Sequence, residues 1–511
     1  MKARRIRWAF SARSYSFTSA TNLTAWLPIV LESKQRNIFS PRGFPSSFDR
    51  CPLRISECRV WYKAIVILGL VLLAACGGSH SNTGGGGQQV TVTITGAPPA
   101  AIGVGANWQY AASVTGSTNQ NLTWSASSGT IDAKTGLYIA PNSVPSPATV
   151  TITATAQADS SHPASTTLTV QATDPLGSVV GTTQFPNCPS GGLPSGNCLQ
   201  LQIACPGVAN FSAYLKVYTP SAAPIGTVLF GVGTGGSGLY EDPNTGYTDG
   251  STTVGDVLNA GYNTVQVSFG APFDQGSTPR GWLTGPGGVR RLACRYATVA
   301  DWVYHNPTMI NPNAASGTSA PMCATGNSGG SSVLAYAVYE YGLGSELAMI
   351  EPTSGPVMSR IDQGCQPCSS SLQGNICPSS NNNANLCYES ADAKIIDEAY
   401  QGPGATTPTP CSDALNGNPG ANASALFLSD SILYSGGSQT VAIPNTIMKQ
   451  LFAENDTSNA VPQGTTWEGL VAPSSSSPSP RYACLAGVQH DIPSFSSGAQ
   501  QIAADIIQYC K

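Results

Sequence analysis

PMCATGNSGGSSVLAYAVYEYG, residues 321–342, decides how the chain is read. PMCAT is a short apolar run of strand character, and SSVLAYAVYEYG carries apolar and aromatic side chains in a helical run. Between them stands Gly326-Asn327-Ser328-Gly329-Gly330, a G-x-S-x-G. Glycine and serine are abundant in this chain, so the pattern is weak by itself, and its place between a strand and a helix gives it weight. Glycines two residues either side of the serine let strand and helix approach without a Cβ between them. The serine hydroxyl is then left standing on the turn. The N-terminus of the following helix also offers unpaired N–H groups to developing negative charge.

The same rhythm continues outward from this stretch. FSAYLKVY (211–218) alternates, TVLFGV (227–232) is a short apolar run, and NTVQVSF (263–269), LAMIEP (347–352) and TIMKQLFA (446–453) read as further strands. In RRLACRYATVADWVYH, Leu292, Tyr296, Val299 and Val303 recur at helical spacing, and Ile502, Ile506 and Tyr509 make one face of a terminal helix. Strands alternating with helices predict parallel strands in an α/β sheet from about residue 178 to 511. Residues 354–440 break the rhythm. They are rich in Ser, Asn, Gly and Cys, and read as an insertion stapled by disulfides that serves as a lid, with one helix over ADAKIIDEAY (391–400).

A serine hydroxyl at its free pKa is a poor nucleophile and needs a base. The chain has four histidines: His80, His162, His305 and His490. His80 lies in a glycine-rich tether and His162 in a loop before Pro163. His305 ends a helix, where it suits the C-terminal dipole. His490, in AGVQHDIP, follows the last strands, as the order Ser…acid…His requires. The acid belongs between them, just past a strand. In KQLFAENDTSNAVPQG, Asp456 meets that condition; Glu454 is the nearest alternative, and Asp430 and Asp362 are remoter. Asp491 adjoins the histidine and cannot easily turn back onto the same ring. Two donors are needed for an oxyanion: the N–H of Gly329, and one from GVGTGGSG (231–238), at Gly235 or Gly236. That loop fails as a phosphate loop, since no Lys-Ser/Thr follows.

Residues 178–511 therefore resemble an α/β-hydrolase, by a serine elbow, an acid loop, a terminal histidine and a glycine loop in the family's order. The resemblance implies a mostly parallel central sheet flanked by helices and acyl-transfer chemistry without a cofactor or metal. In it Ser328 attacks an ester or amide carbonyl, His490 moves the proton, Asp456 orients the ring and the N–H groups bind the oxyanion. GNSGGS is also similar to the nucleophile motif of trypsin-like proteases. Their order is His…Asp…Ser, and His305, 23 residues upstream of Ser328, leaves no room for two barrels.

Ahead of this region, VTVTI (90–94), WQYAASV (108–114), LTWS (122–125), ATVTITATA (148–156) and STTLTV (165–170) alternate at period two between turns, the pattern of a β-sandwich. LTWSASSGTIDAKTGLYIAP followed by ATVTITATA resembles a bacterial immunoglobulin-like domain of group 2, over residues 90–172. The resemblance implies a spacer or adhesive module; Trp124 and Tyr138 read most simply as core residues.

Further upstream, WYKAIVILGLVLLAACGG (61–78) places Lys63 before twelve apolar or small residues, too few to span a bilayer and suited to a signal peptide. It ends in Leu73-Ala74-Ala75-Cys76, which resembles a bacterial lipobox. The resemblance implies cleavage before Cys76 and its lipidation, hence anchoring to the cell envelope, at the outer membrane or cell surface. Residues 60–76 are thus the signal, 77–89 (GGSHSNTGGGGQQ) a flexible tether, and 1–59 a basic leader or an overcalled start with Val60 as initiator.

Composition agrees with export. Of 15 cysteines, twelve lie beyond Cys76, an even number that suits disulfides in an oxidising compartment. Only Cys365 and Cys368 form a C-x-x-C, with no second pair and few histidines, so zinc is disfavoured. Residues 77–511 hold 24 Asp+Glu against 11 Lys+Arg. That acidic body argues against nucleic acid as a partner. The expectation is a secreted, lipid-anchored serine esterase acting on a small or polymeric ester. The alternatives are a peptidase or polyester depolymerase on the same fold, or a non-catalytic surface adhesion or binding lipoprotein.

Overall fold

The computed structural model describes residues 89–185, 188, 193, 196–269, 280–306, 320–369, 376–377, 384–402 and 404–511. The leader, the signal stretch with Cys76, and the tether up to residue 88 with His80 lie outside the described residues. Among the described residues no helix is long and apolar enough to cross a membrane.

Strands β1 (Thr91–Ile94), β2 (Ala101–Gly103), β3 (Asn107–Gln109), β4 (Ala112–Thr115), β5 (Leu122–Ala126), β6 (Thr130–Ile131), β7 (Leu137–Ile139), β8 (Thr149–Ala156) and β9 (Asp159–Gln171) form three small sheets, ordered β1-β4, β2-β9-β8-β5 and β3-β7-β6. In β8, Val150, Ile152, Ala154 and Ala156 alternate inward, and they meet Tyr110, Trp124 and Tyr138 in one core. The single strand expected over 108–114 is two. β3 pairs with β7 and β4 with β1, because the chain changes sheets between them, with Tyr110 turned into the core.

The remaining strands are β10 (Ser178–Phe185), β11 (Asn197–Ala204), β12 (Phe211–Tyr218), β13 (Thr227–Gly231), β14 (Asn263–Phe269), β15 (Met322–Asn327), β16 (Leu347–Thr353), β17 (Val441–Ile443), β18 (Ile447–Met448), β19 (Gln450–Ala453), β20 (Val471–Pro473) and β21 (Tyr482–Leu485). All but β17 and β20 join one ten-stranded mixed sheet ordered β10-β11-β12-β14-β13-β15-β16-β19-β21, with β18 also on β16. From β10 to β14 neighbours are antiparallel; from β14 to β21 they are parallel. Parallel strands are covered on both faces, which explains their near-continuous apolar sequences. On β13, Leu229 points to the face covered by helices Cys294–Tyr304 and Gly329–Tyr339. Val228 and Phe230 point to the face covered by Gly250–Asn259 and Ser496–Tyr509.

Six disulfides pair all twelve cysteines beyond Cys76. Cys323–Cys510 ties β15 to the end of the terminal helix, and Cys365–Cys411 and Cys368–Cys387 lie within residues 354–440. Cys377–Cys484 fastens that segment to β21. Its helix Ser390–Glu398 begins one residue before the one expected from the sequence.

The sandwich is not a free spacer. Arg290 is fully buried, pairs with Asp174 (2.6 Å) and Glu340 (2.7 Å), and donates to Val104 O (2.8 Å). Arg291 donates to Asn107 O (2.7 Å) and lies 4.4 Å over the Trp108 ring. Asp430 accepts from Asn107 Nδ2 (2.6 Å), Val289 N–H (3.0 Å) and Tyr400 Oη (2.6 Å). Charges buried here keep their partners, since an unpaired buried charge is costly.

Candidate active site

The C-terminal ends of four parallel strands carry the candidate residues. Thr234 follows β13, Ser328 follows β15, Asp456 follows β19 and His490 lies beyond β21. In the sheet β13 stands between β14 and β15, so the strand order reverses there; open α/β sheets bind ligands at such switch points.

Ser328 occupies the turn between β15 and the helix Gly329–Tyr339 with φ of 56° and ψ of −117°. A positive φ is unusual for a non-glycine residue and stores about 1–3 kcal/mol of strain. The Ser328 N–H donates to Thr353 O on β16 (2.9 Å), which helps hold the conformation. A Cβ on Gly326 would lie 2.6 Å from the backbone of Gly330, so the approach of strand to helix requires glycine.

His490 Nδ1 lies 2.8 Å from Asp456 Oδ2, with the Asp456 side chain buried and that of His490 one-third exposed. Burial alone raises the Asp456 carboxyl, but the hydrogen bond and charge of His490, then the Ser458 hydroxyl and N–H, carry it below its ordinary range. Burial alone lowers His490, but its hydrogen bond to Asp456 and the negative charges of Asp456, Asp491 and Asp392 leave it raised above 6.5. The other carboxylates considered lie elsewhere. Asp362 is bound to Arg360 (2.8 Å) and Asp430 to the sandwich boundary; the Glu454 N–H donates to Leu485 O (3.1 Å).

Three supporting residues escaped the sequence. Ser458 Oγ is 3.2 Å from His490 Nδ1, and its N–H donates to Asp456 Oδ1 (2.9 Å). Asn327, buried, donates from Nδ2 to His490 O (3.2 Å) and accepts from Thr353 Oγ1 (2.7 Å). It thus ties the serine turn to the histidine loop. The third is Thr234, with φ of 51°. No spacing rule marks any of them, because each acts through the meeting of distant loops.

Ser328, Gly329, Thr234 and His490 line one cavity of about 230 Å³, together with Val357, Met358, Tyr388, Glu389, Asp392, Ile395 and Ile396 from residues 354–440, and Thr457, Ser458 and Asn459. Gly235 and Gly236 do not line it. The Gly236 N–H is taken by Gly233 O (3.0 Å) in a turn, and Gly235 packs on Arg280 and Gly281 while its carbonyl accepts from Trp282 N–H (2.8 Å). On this loop Thr234 faces Ser328, and a Cβ on Gly329 would strike the Thr234 backbone.

Two histidines fall outside the cavity. His162 lies 2.7 Å from Asp159 in the sandwich. Exposed His305 caps its helix, with Nδ1 3.0 Å from Asp301 O. Asp301, His305 and Glu346 bring three ligand atoms within 4.8 Å of one another, the one such group among the described residues, and none of the three lines the cavity.

No protein-family model matches this chain, and no curated protein matches it. Solved structures do. A thermostable carboxyl esterase from Bacillus coagulans is 13% identical over 61% of this chain and 97% of its own, with a TM-score of 0.34. The acetyl xylan esterase of Paenibacillus sp. R4 is 12% identical over 65% and 88%, TM-score 0.37. Brefeldin A esterase, described as a bacterial homologue of human hormone-sensitive lipase, is 12% identical over 63% and 78%, TM-score 0.36. The structural neighbours are esterases and lipases of the α/β-hydrolase fold, and the likeness is too distant to transfer residues or substrates.

Proposed function

We propose that this chain is an α/β-hydrolase that cleaves carboxylic esters through Ser328, His490 and Asp456. The observation that supports it most is the His490–Asp456 contact, 2.8 Å between buried and half-buried partners, in a loop that lines the same cavity as the strained Ser328 turn. Ser328 Oγ adds to the ester carbonyl while His490 Nε2 takes its proton. Asp456 holds the Nδ1–H tautomer and stabilises the imidazolium. The N–H groups of Gly329 and Thr234 receive the oxyanion. Collapse expels the alcohol, which takes the proton from His490 and leaves an acyl group on Ser328. A water molecule then gives a proton to His490 and attacks the acyl carbonyl, and collapse returns that proton to Ser328 Oγ as the acid leaves.

On the same reading the protein is exported and held to the cell envelope by lipid on Cys76, with residues 90–172 as an immunoglobulin-like domain of group 2. A serine-directed phosphonate tests the chemistry: it labels the wild type at Ser328, and S328A and H490A stay unlabelled. A folded wild type that resists the probe and releases no acid from p-nitrophenyl esters leaves the non-catalytic binding lipoprotein as the better reading.

A further inference from the structure

The cavity is polarised along one helix. Asp392, Ile395 and Ile396 on Ser390–Glu398 face into it, with Glu389 at the helix N-cap beside them, while Lys394 on the same helix is exposed and outside the lining. The cavity lining contains no Lys or Arg. One turn separates the carboxylate end from the isoleucine end, about 5 Å along the helix axis. A first-turn carboxylate suits any helix start; Asp392 differs because it is turned inward and fixed. Its Oδ2 accepts from Nδ2 of buried Asn459 at 2.7 Å, and Asn459 lines the cavity too.

The two ends differ in what they meet. The leaving alcohol must lie on the His490 side, because His490 gives it the proton. The Asp392 carboxylate belongs to that side, since its charge acts on the His490 ring and Asn459 follows Ser458. The acyl group then points to the other end, where Ile395 and Ile396 meet Val357 and Met358.

We propose that the site selects esters with a small apolar acyl group and a positively charged alcohol portion, an amine or ammonium, seated against Asp392 and Glu389. This rests on the esterase reading above. Burial pushes the Asp392 carboxyl above its usual range, so its ionised form is under-solvated where it lines the cavity. A substrate cation relieves that deficit, and a substrate anion worsens it. The net charge of residues 77–511 has the same sign, with 24 Asp+Glu against 11 Lys+Arg. Lys216, Arg290, Arg360 and Arg481 are already paired with carboxylates within the fold, which leaves the acidic excess to steer cations inward.

The test compares three butyrate esters matched in size: 2-(trimethylammonio)ethyl, its uncharged carbon isostere 3,3-dimethylbutyl, and 2-sulfoethyl. The ratio of kcat/KM between esters is read within each variant, so a change in basal chemistry cancels. The wild type is expected to favour the cationic over the neutral ester by about tenfold at low salt, equivalent to about 1.4 kcal/mol, and to disfavour the anionic one. Added salt shrinks the ratio, and D392N and the exposed-site variant E389Q each lower it. A wild-type ratio near one with the neutral ester turned over overturns this inference and leaves the esterase reading intact, as does a ratio that neither variant moves. No turnover of any ester together with an unreactive Ser328 overturns both.

Discussion

Ser328 and Thr234 both hold positive φ, 56° and 51°, on adjoining loops that line the same cavity. For a β-branched threonine that conformation is costly, so a main-chain role at 234 has a direct test. T234G keeps the N–H and removes the strain. It is expected to raise stability by about 1 kcal/mol and to retain kcat within a few-fold. If instead the hydroxyl serves the oxyanion, T234G loses about 10²–10³ in kcat. The His490–Asp456 pair sets the pH profile. His490 must be neutral to act as base and its pKa is raised, so kcat/KM is expected to fall on the acid side with a midpoint above 6.5. D456N removes the hydrogen bond and charge that raise it. The midpoint then moves down and kcat falls by about 10⁴, the scale of such a change in other triads.

At the scale of elements, the approach of β15 to the helix Gly329–Tyr339 is a steric constraint beside the site. G326A places a methyl against the Gly330 backbone, and strand or helix must shift. The expected cost is about 2–3 kcal/mol in a denaturant titration, with activity falling as the serine is displaced. This packing was legible from G-x-S-x-G, because glycine spacing reports directly on a close approach. β10 and β11 lie outside the strands expected from the sequence: β10 alternates only weakly, whereas Leu199, Leu201 and Ile203 of β11 do alternate with Gln200 and Gln202 at the period of a strand. TIMKQLFA reads as one run, yet β18 and β19 are distinct. β18 pairs with β16 at Met349 and Ile350, while β19 meets β16 at Thr353 and continues onto β21.

Across the whole molecule, buried charge links parts far apart in sequence. Arg290 connects Asp174, Glu340 and Val104, so R290A leaves two carboxylates without their cation and is expected to cost about 3–5 kcal/mol. A thermal melt of the full chain measures it; a free sandwich, packed on nothing, would show no such loss. Glu351 on β16 gives a second, pH-dependent term. Burial first, then the carboxylate of Asp505 on the terminal helix, push its carboxyl well above 4.5. A raised carboxyl stabilises the fold below its unfolded value of about 4.3, and that contribution is lost as pH rises toward the folded value. E351Q is therefore expected to gain melting temperature over the wild type increasingly from pH 5 to pH 8, with no gain at pH 4.

Local chemistry made part of this protein readable from its residues alone. Period-two runs marked β8, apolar runs marked β13 and β14, and a serine between glycines marked the turn after β15, since each depends on neighbours a few positions away. Scarcity of histidine pointed to His490, and its place just past a strand pointed to Asp456 among several acids in the right order. What surrounds them was decided only in three dimensions: the Ser458 contact to the ring, the Asn327 tether, Thr234 rather than Gly235 or Gly236 at the cavity wall, the inward turn of Asp392, and the locking of the sandwich by Arg290. Those contacts join residues between 32 and 186 positions apart, or depend on which backbone amide a turn has already taken, and no local pattern of residues records either.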